Sequence, residues 1–282
     1  MKPITTLLTI LLITLLSSPS WSETLTMDDL VERNELYYKK FTDVPFTGEV
    51  SGIEKGSFQK GKKNDEWLTF HESGQLNVKR NYKDGKEEGL YEVYYENGQL
   101  DTKGNYIKDQ KDGSWVGYFD DGHLKFRGNY SNGKKNGHWE SYWELGDLKT
   151  LSEGSYEDGR KVGLWEETSP FGGIWKGNYK DGEQDGLWEL YDQEEQFWVK
   201  GTYKDGEPDG LWKRYFDNGK FHSIENYKDG KLHGLRQLYD NKGNISYEVN
   251  YTNGKEEGLK KHFNEDGTLK KTETYKNGKL VE

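Results

Sequence analysis

The sequence predicts an all-β protein, an elongated single-layer antiparallel β-meander of about nine 24-residue hairpin repeats, and three observations predict it. The 282 residues include 35 glycines, 10 Trp, 20 Tyr and 11 Phe but no alanine. Alanine is the best helix former and glycine is poorly tolerated in helix interiors, so this composition excludes a helical fold. An aromatic residue recurs from Phe58 through Tyr82, Tyr106, Tyr130, Tyr156, Tyr179, Tyr203, Tyr227 and Tyr251 to Tyr275, at a spacing of 24 residues seven times, 26 once and 23 once. A fixed period of that size is the mark of an array whose units bury surface against their neighbours. Each period also holds two clusters of turn residues between short aromatic or β-branched runs, which divides it into two strands.

Taken in order, Met1 to Ser22 reads as a secretory signal. Lys2 gives the positive end, Leu7 to Leu16 the apolar run, and Ser20 and Ser22 the small residues before cleavage after Ser22. The apolar run is too short for an ordinary membrane-spanning helix, a retained N-terminal anchor being the alternative. The mature product is expected to be exported, to the periplasm or beyond, with no integral membrane segment. Residues 23–57 lie outside the period and read as an N-terminal cap over the first strand edge. Residues 58–282 form the repeat array, and its Trp-poor, Lys-rich last units read as a C-terminal cap.

Within a unit, Asn97-Gly98, Asp121-Gly122 and Asn218-Gly219 predict two-residue hairpins. The other connection, Lys204 to Asp209 in one unit, reads as a longer turn. Some eighteen strands follow from this division.

Comparing the units shows that Trp67, Trp115, Trp139, Trp165, Trp188 and Trp212 each have a glycine eleven residues earlier, at Gly56, Gly104, Gly128, Gly154, Gly177 and Gly201. Where Tyr91, Arg236 and Lys260 replace the Trp, Arg80, Glu225 and Val249 replace the glycine. If Tyr203 faces Gly210, Gly201 faces Trp212 on the same side of the sheet, so each ring covers a bare glycine. The neighbouring hairpin then sets Gly210 against Tyr227 and Trp212 against Glu225. Tyr94, Tyr118, Tyr142, Tyr191, Tyr215 and Tyr239, three residues after the Trp slot, fall on the opposite side.

The unit YxxGxxxGxWxxYxxxGxLxxxGxY, as in Tyr82 to Tyr106 and Tyr203 to Tyr227, resembles the MORN repeat, in particular the bacterial variant of proteins described as toxin–antitoxin antitoxins. The resemblance covers about residues 46–282 and implies a single-layer β-meander with a scaffold or binding role and no catalysis of its own.

No catalytic, cofactor-binding or metal-binding residue is assigned, and no cofactor is expected. There is no cysteine, which excludes thiol nucleophiles, disulfides and Cys-ligated metal sites. His71, His123, His138, His222, His233 and His262 sit at six different repeat positions with no zinc-site spacing. Acids such as Asp181, Glu183 and Asp185, or Asp205, Glu207 and Asp209, form no EF-hand loop and read as turn residues rather than calcium ligands. The formal charge of −10 argues against a nucleic-acid partner and against binding to acidic lipid. The expected role is a non-catalytic scaffold binding another protein in the bacterial envelope. The alternatives are a carbohydrate or cell-wall module using rings such as Trp188 and Trp212, and an antitoxin or immunity-like neutraliser of a toxin.

Overall fold

The computed structural model describes residues 24–145, 148–168, 172–191 and 197–281, so the signal segment Met1–Ser22 lies outside the described residues. Among the described residues strand predominates, and 23 strands follow one another in a single open antiparallel meander. It runs from Gly48–Val50 and Glu54–Gln59, through Lys62–Phe70, Leu76–Lys83 and Lys86–Tyr94, to Leu269–Lys276 and Lys279–Leu280. Each strand hydrogen-bonds its neighbours in the chain, except that Glu207–Pro208 and Lys231–Leu232 share the preceding strand with the strand that follows them. The five strands beyond the expected eighteen are Gly48–Val50, Glu54–Gln59, Lys279–Leu280 and two stubs, Glu207–Pro208 and Lys231–Leu232.

Turn chemistry divides the two kinds of hairpin differently from the sequence reading. The two-residue turn is the Asp-Gly of the supposedly longer connection. Asp205 and Gly206 both have positive φ, 50° and 79°, between the paired Lys204 and Glu207. That is the type I′ geometry, which short polar residues and glycine adopt. At Asn218-Gly219 the loop has three residues: Phe216 N donates to Lys220 O at 2.8 Å and Gly219 N to Phe216 O at 2.8 Å. There only Gly219 is left-handed, at φ 77°, as in a type I turn closed by a glycine bulge.

The register across the type I′ turn is corrected in the same way. Tyr203 faces Pro208, not Gly210, and Asp209 N donates to Thr202 O at 2.9 Å. Gly210 and Leu211 are extra residues in a bulge, after which Lys200 faces Lys213. The bulge restores the expected Gly201–Trp212 match. Across the other hairpin, Gly210 faces Tyr227 and Trp212 faces Glu225, as the spacing requires.

The core is the resulting ladder of rings. Trp188 is fully buried and Trp212 is 4% exposed, and a Cβ built on Gly177 or Gly201 would come within 2.2 or 2.1 Å of the covering indole. These strand glycines have no left-handed φ, so what demands them is the ring above. Each indole N–H donates to the carbonyl beside the bulge, Trp188 to Asn178 O at 3.0 Å and Trp212 to Thr202 O at 3.1 Å. Tyrosines stand edge-on between the indoles: Tyr179, Trp188, Tyr203, Trp212 and Tyr227 follow at centroid distances of 5.1, 6.1, 5.0 and 6.0 Å. Ring pairs of this geometry add about 0.5–1.5 kcal/mol beyond the area they bury. Lys111, Lys135 and Lys161 lie 4.0–4.2 Å over Trp115, Trp139 and Trp165 and close the ladder from outside.

The three units without Trp fill the slot with other matched groups. Glu225, 4% exposed, meets Arg236 at 3.0 Å and Arg214 at 3.5 Å. Arg80 stacks at 5.7 Å over Tyr91 and bonds Glu87 at 3.3 Å. Val249 is buried beside Lys260, which bonds Glu256 at 2.9 Å. Before the first unit, a hairpin of Leu30–Arg33 and Leu36–Lys39 follows a one-turn 3₁₀ helix, Met27–Asp29. Leu25 and Leu30 join Val50, Phe58 and Trp67 in one buried cluster.

Candidate functional site

With most of the Trp-bearing side closed by its own packing, the reverse side offers the regular features. Residues one before and one after the Trp slot point there, since side chains alternate along a strand. The residue after the slot faces, on one neighbouring strand or the other, the residue before a glycine position, and such residues build cross-strand ion pairs: Lys103 with Glu92 at 2.9 Å, Lys200 with Glu189 at 2.5 Å and Lys261 with Glu248 at 3.0 Å, while Lys79 reaches Glu66, one before the slot, at 2.7 Å. Arg127 with Glu140 and Lys176 with Glu166 continue the series. The Lys103 hydrogen bond holds the Glu92 carboxyl below the usual carboxylate range, against the opposing effect of burial, with the Tyr94 hydroxyl adding to the lowering. Tyr94 donates to Glu92 and Tyr239 to Gln237, each two residues away, so these tyrosines stand on the reverse side as their odd offset requires.

Beside the ion pairs runs a row of leucines. Leu164, Leu187, Leu211, Leu235 and Leu259 sit immediately before the Trp slot in consecutive units and are 37–52% exposed. The bulge places them. Each follows the left-handed bulge glycine, Gly163, Gly186, Gly210, Gly234 or Gly258, and faces a polar partner on the next strand, such as Asn178, Thr202 or Asn226. Successive leucines are two strands apart, about 9–10 Å at ordinary strand spacing. These apolar side chains, held in register on a polar surface, form the candidate interaction face.

Asp205, Glu207 and Asp209 border a shallow depression with Asp229 and Lys231. Among the described residues the only convergent donor set lies elsewhere: His138, Glu140 and Glu153 place ligand atoms within 4.8 Å of one another. His138 Nε2 is 3.3 Å from Glu153, while Glu140 is paired to Arg127. Spacing along the chain did not show this set, because it joins neighbouring strands through the pairing of Glu140 with Glu153. The other histidines stay scattered: His71 meets Tyr94 O, His123 meets Asp121 and His262 meets Glu273.

The comparisons agree with this architecture. Residues 66–84, 87–108, 111–132, 208–229, 232–253 and 256–277 each match the family model described as the MORN repeat variant. These six segments are similar to MORN repeats. Each matched segment holds a bulge glycine, the Trp-slot position or the type I′ turn that recurs along the sheet, and MORN repeats of this kind form a repeat scaffold. No curated protein matches the chain. The segment between residues 132 and 208 falls between matched repeats, yet its strands keep the same register: Trp139 faces Gly154 and Trp165 faces Gly177.

Proposed function

We propose that the protein is an exported, non-catalytic MORN-repeat scaffold that binds another protein in the bacterial envelope through its reverse side. The observation that carries this reading is the row of five exposed leucines at a pitch of one repeat. A partner with apolar groups on one flat face fits the row, and the mixed ion pairs beside it supply a polar rim. Neutralising a toxin is one form such binding can take. Trp188 and Trp212, the rings named for a wall-binding role, are buried in the ladder and offer nothing to a sugar.

The test compares the secreted wild-type chain with a Leu187→Asp, Leu211→Asp, Leu235→Asp variant, cross-linked in envelope fractions. The expected result is one stoichiometric protein partner captured by the wild type and lost in the variant, with both melting alike. Retention of the partner by the triple variant counts against the leucine row. Export is read separately, from a mature N-terminus at Glu23.

A further inference from the structure

The one repeat of 26 residues, Tyr130 to Tyr156, departs from its neighbours on the Trp-bearing side. Its insertion lengthens the hairpin to Lys134–Leu145 and Leu148–Glu157, 12 and 10 residues, against 9 and 8 for Lys86–Tyr94 and Leu100–Ile107. The longer strand carries Trp143 beyond the ring ladder, where it is 54% exposed. Alongside, Phe126 occupies a place that is not aromatic in most units. It lies over Gly117, where a Cβ would come within 2.2 Å of its ring, and stacks on Trp139 at 5.8 Å and 16°. Phe119, Phe126 and Trp143 thereby line a cavity of about 520 Å³ that also receives Lys111, Lys125 and Lys135.

The charges in this cavity are one-sided. Among the described residues, all its titratable lining groups other than tyrosines are lysines, and none of the three forms a salt bridge. Lys135 lies over Trp139 at 4.2 Å and Tyr156 at 4.9 Å, and Lys125 over Phe119 at 5.7 Å. Burial depresses the Lys135 ammonium, and Lys161 and Lys111 add to the effect; burial depresses Lys111 too, with Glu87 opposing it. In a chain with a formal charge of −10, three ammonium groups gathered around aromatic walls form a local field that an anion relieves. A concave, ring-lined site with a few convergent polar groups is the usual form of a small-ligand site.

We propose that this cavity binds a small aromatic carboxylate, its flat ring against Phe119, Phe126 and Trp143 and its carboxylate among Lys111, Lys125 and Lys135. The site is on the opposite side of the sheet from the leucine row and does not depend on protein binding there. Ring-on-ring contact orients the ligand, and the ammonium groups select its charge.

The experiment titrates the full chain with indole-3-acetate, the neutral indole-3-acetamide and D-glucuronate, by calorimetry and by the shift of the Trp143 indole N–H resonance. Saturable one-to-one binding of indole-3-acetate is expected, with the amide and the sugar acid each at least about tenfold weaker. Lys125→Gln and Trp143→Ser, both outside the Gly–Trp ladder, should weaken it by a similar factor without moving the melting temperature. No saturable binding of indole-3-acetate overturns the site. Equal binding of the amide overturns the role of the lysines, equal binding of glucuronate overturns the role of the rings, and full affinity in both variants places the ligand elsewhere.

Discussion

Gly177→Ala puts a methyl group where Trp188 already sits. The added Cβ would lie 2.2 Å from Trp188 Cδ2 and 2.4 Å from Cε2, whereas ordinary contact begins about 3.5 Å apart. The ring has to retreat by more than 1 Å, on the order of the missing van der Waals distance. It has nowhere to go, being fully buried with Tyr179 at 5.1 Å, Tyr203 at 6.1 Å and Trp175 at 5.6 Å. Overpacking of this kind costs about 1–3 kcal/mol, while Trp188→Ala opens a cavity and costs about 3–5 kcal/mol. The double variant is the sharper measurement. Once the indole is gone the new methyl meets open space, so Gly177→Ala should cost nothing further, leaving a coupling energy of about 1–3 kcal/mol. Urea unfolding followed by tryptophan fluorescence and circular dichroism reads this from the midpoints at unchanged slope. Strict additivity of the two substitutions, or a Gly177→Ala midpoint equal to wild type, would refute the claim that glycine is there for the ring.

The matched exceptions offer a second test: Glu225→Gly with Arg236→Trp should restore a ring-on-glycine pair and fold better than either single variant, and a double variant below both counts against interchangeable slot fillings. Glu225 is held below its ordinary value of 4.5: burial opposes this, and Arg214, the Tyr227 hydroxyl and Arg236 together outweigh it. A depressed carboxyl contributes stability that is present above its unfolded pKa and lost as pH falls through the folded one. The stability gap between wild type and Glu225→Gln should therefore shrink below about pH 4.5; a gap constant from pH 7 to pH 3 would contradict the pairing. Burial, with Glu87 next, pushes the Tyr106 hydroxyl up to about 12. A raised phenol keeps its contribution below its unfolded pKa and loses it as pH rises through the folded one, so ultraviolet titration should show a late tyrosine class lost in Tyr106→Phe and alkaline unfolding between about pH 10 and 12.

What the sequence made legible follows from which interactions leave a mark at fixed spacing. The joint change of Trp and Gly at eleven residues exposed the packing pair, because one ring in one groove leaves no third choice of residue. The turn types were not legible from the same comparison. An Asn-Gly pair suits both a type I′ turn and the end of a type I turn, and only the φ of the residue before the glycine separates them: Asp205 is left-handed, whereas Asn218 is absent from the left-handed set. The leucine row was written in the sequence, one residue before the slot in the five units from Trp165 to Lys260, but its exposure depends on a bulge that simple alternation does not contain. His138, Glu140 and Glu153 were hidden for a different reason, since their approach depends on which strands pair and not on separation along the chain.

A sheet with one layer has no second layer to bury its rings, and the solution here confines where function can vary. The Gly–Trp match ties two positions per unit together, the edge-on tyrosines tie a third, and the turn and bulge glycines tie further positions to backbone geometry. Positions outside that set are free to differ between units. The residue before the Trp slot is leucine in Leu187 and Leu211 but Ser114 and His138 in the middle of the array, and the position four after the slot varies from Phe119 and Trp143 to His71, Asp240 and Asn264. Both surfaces assigned to binding fall on these free positions, one on each side of the sheet. Substitutions at the free positions should alter binding with stability shifts within about 0.5 kcal/mol, whereas substitutions at tied positions should lower stability before they touch any ligand. A scan of Leu187, Leu211, Lys125 and Trp143 against Gly177, Gly201, Tyr179 and Tyr203 separates the two classes, and a free position that unfolds the array on substitution breaks the division.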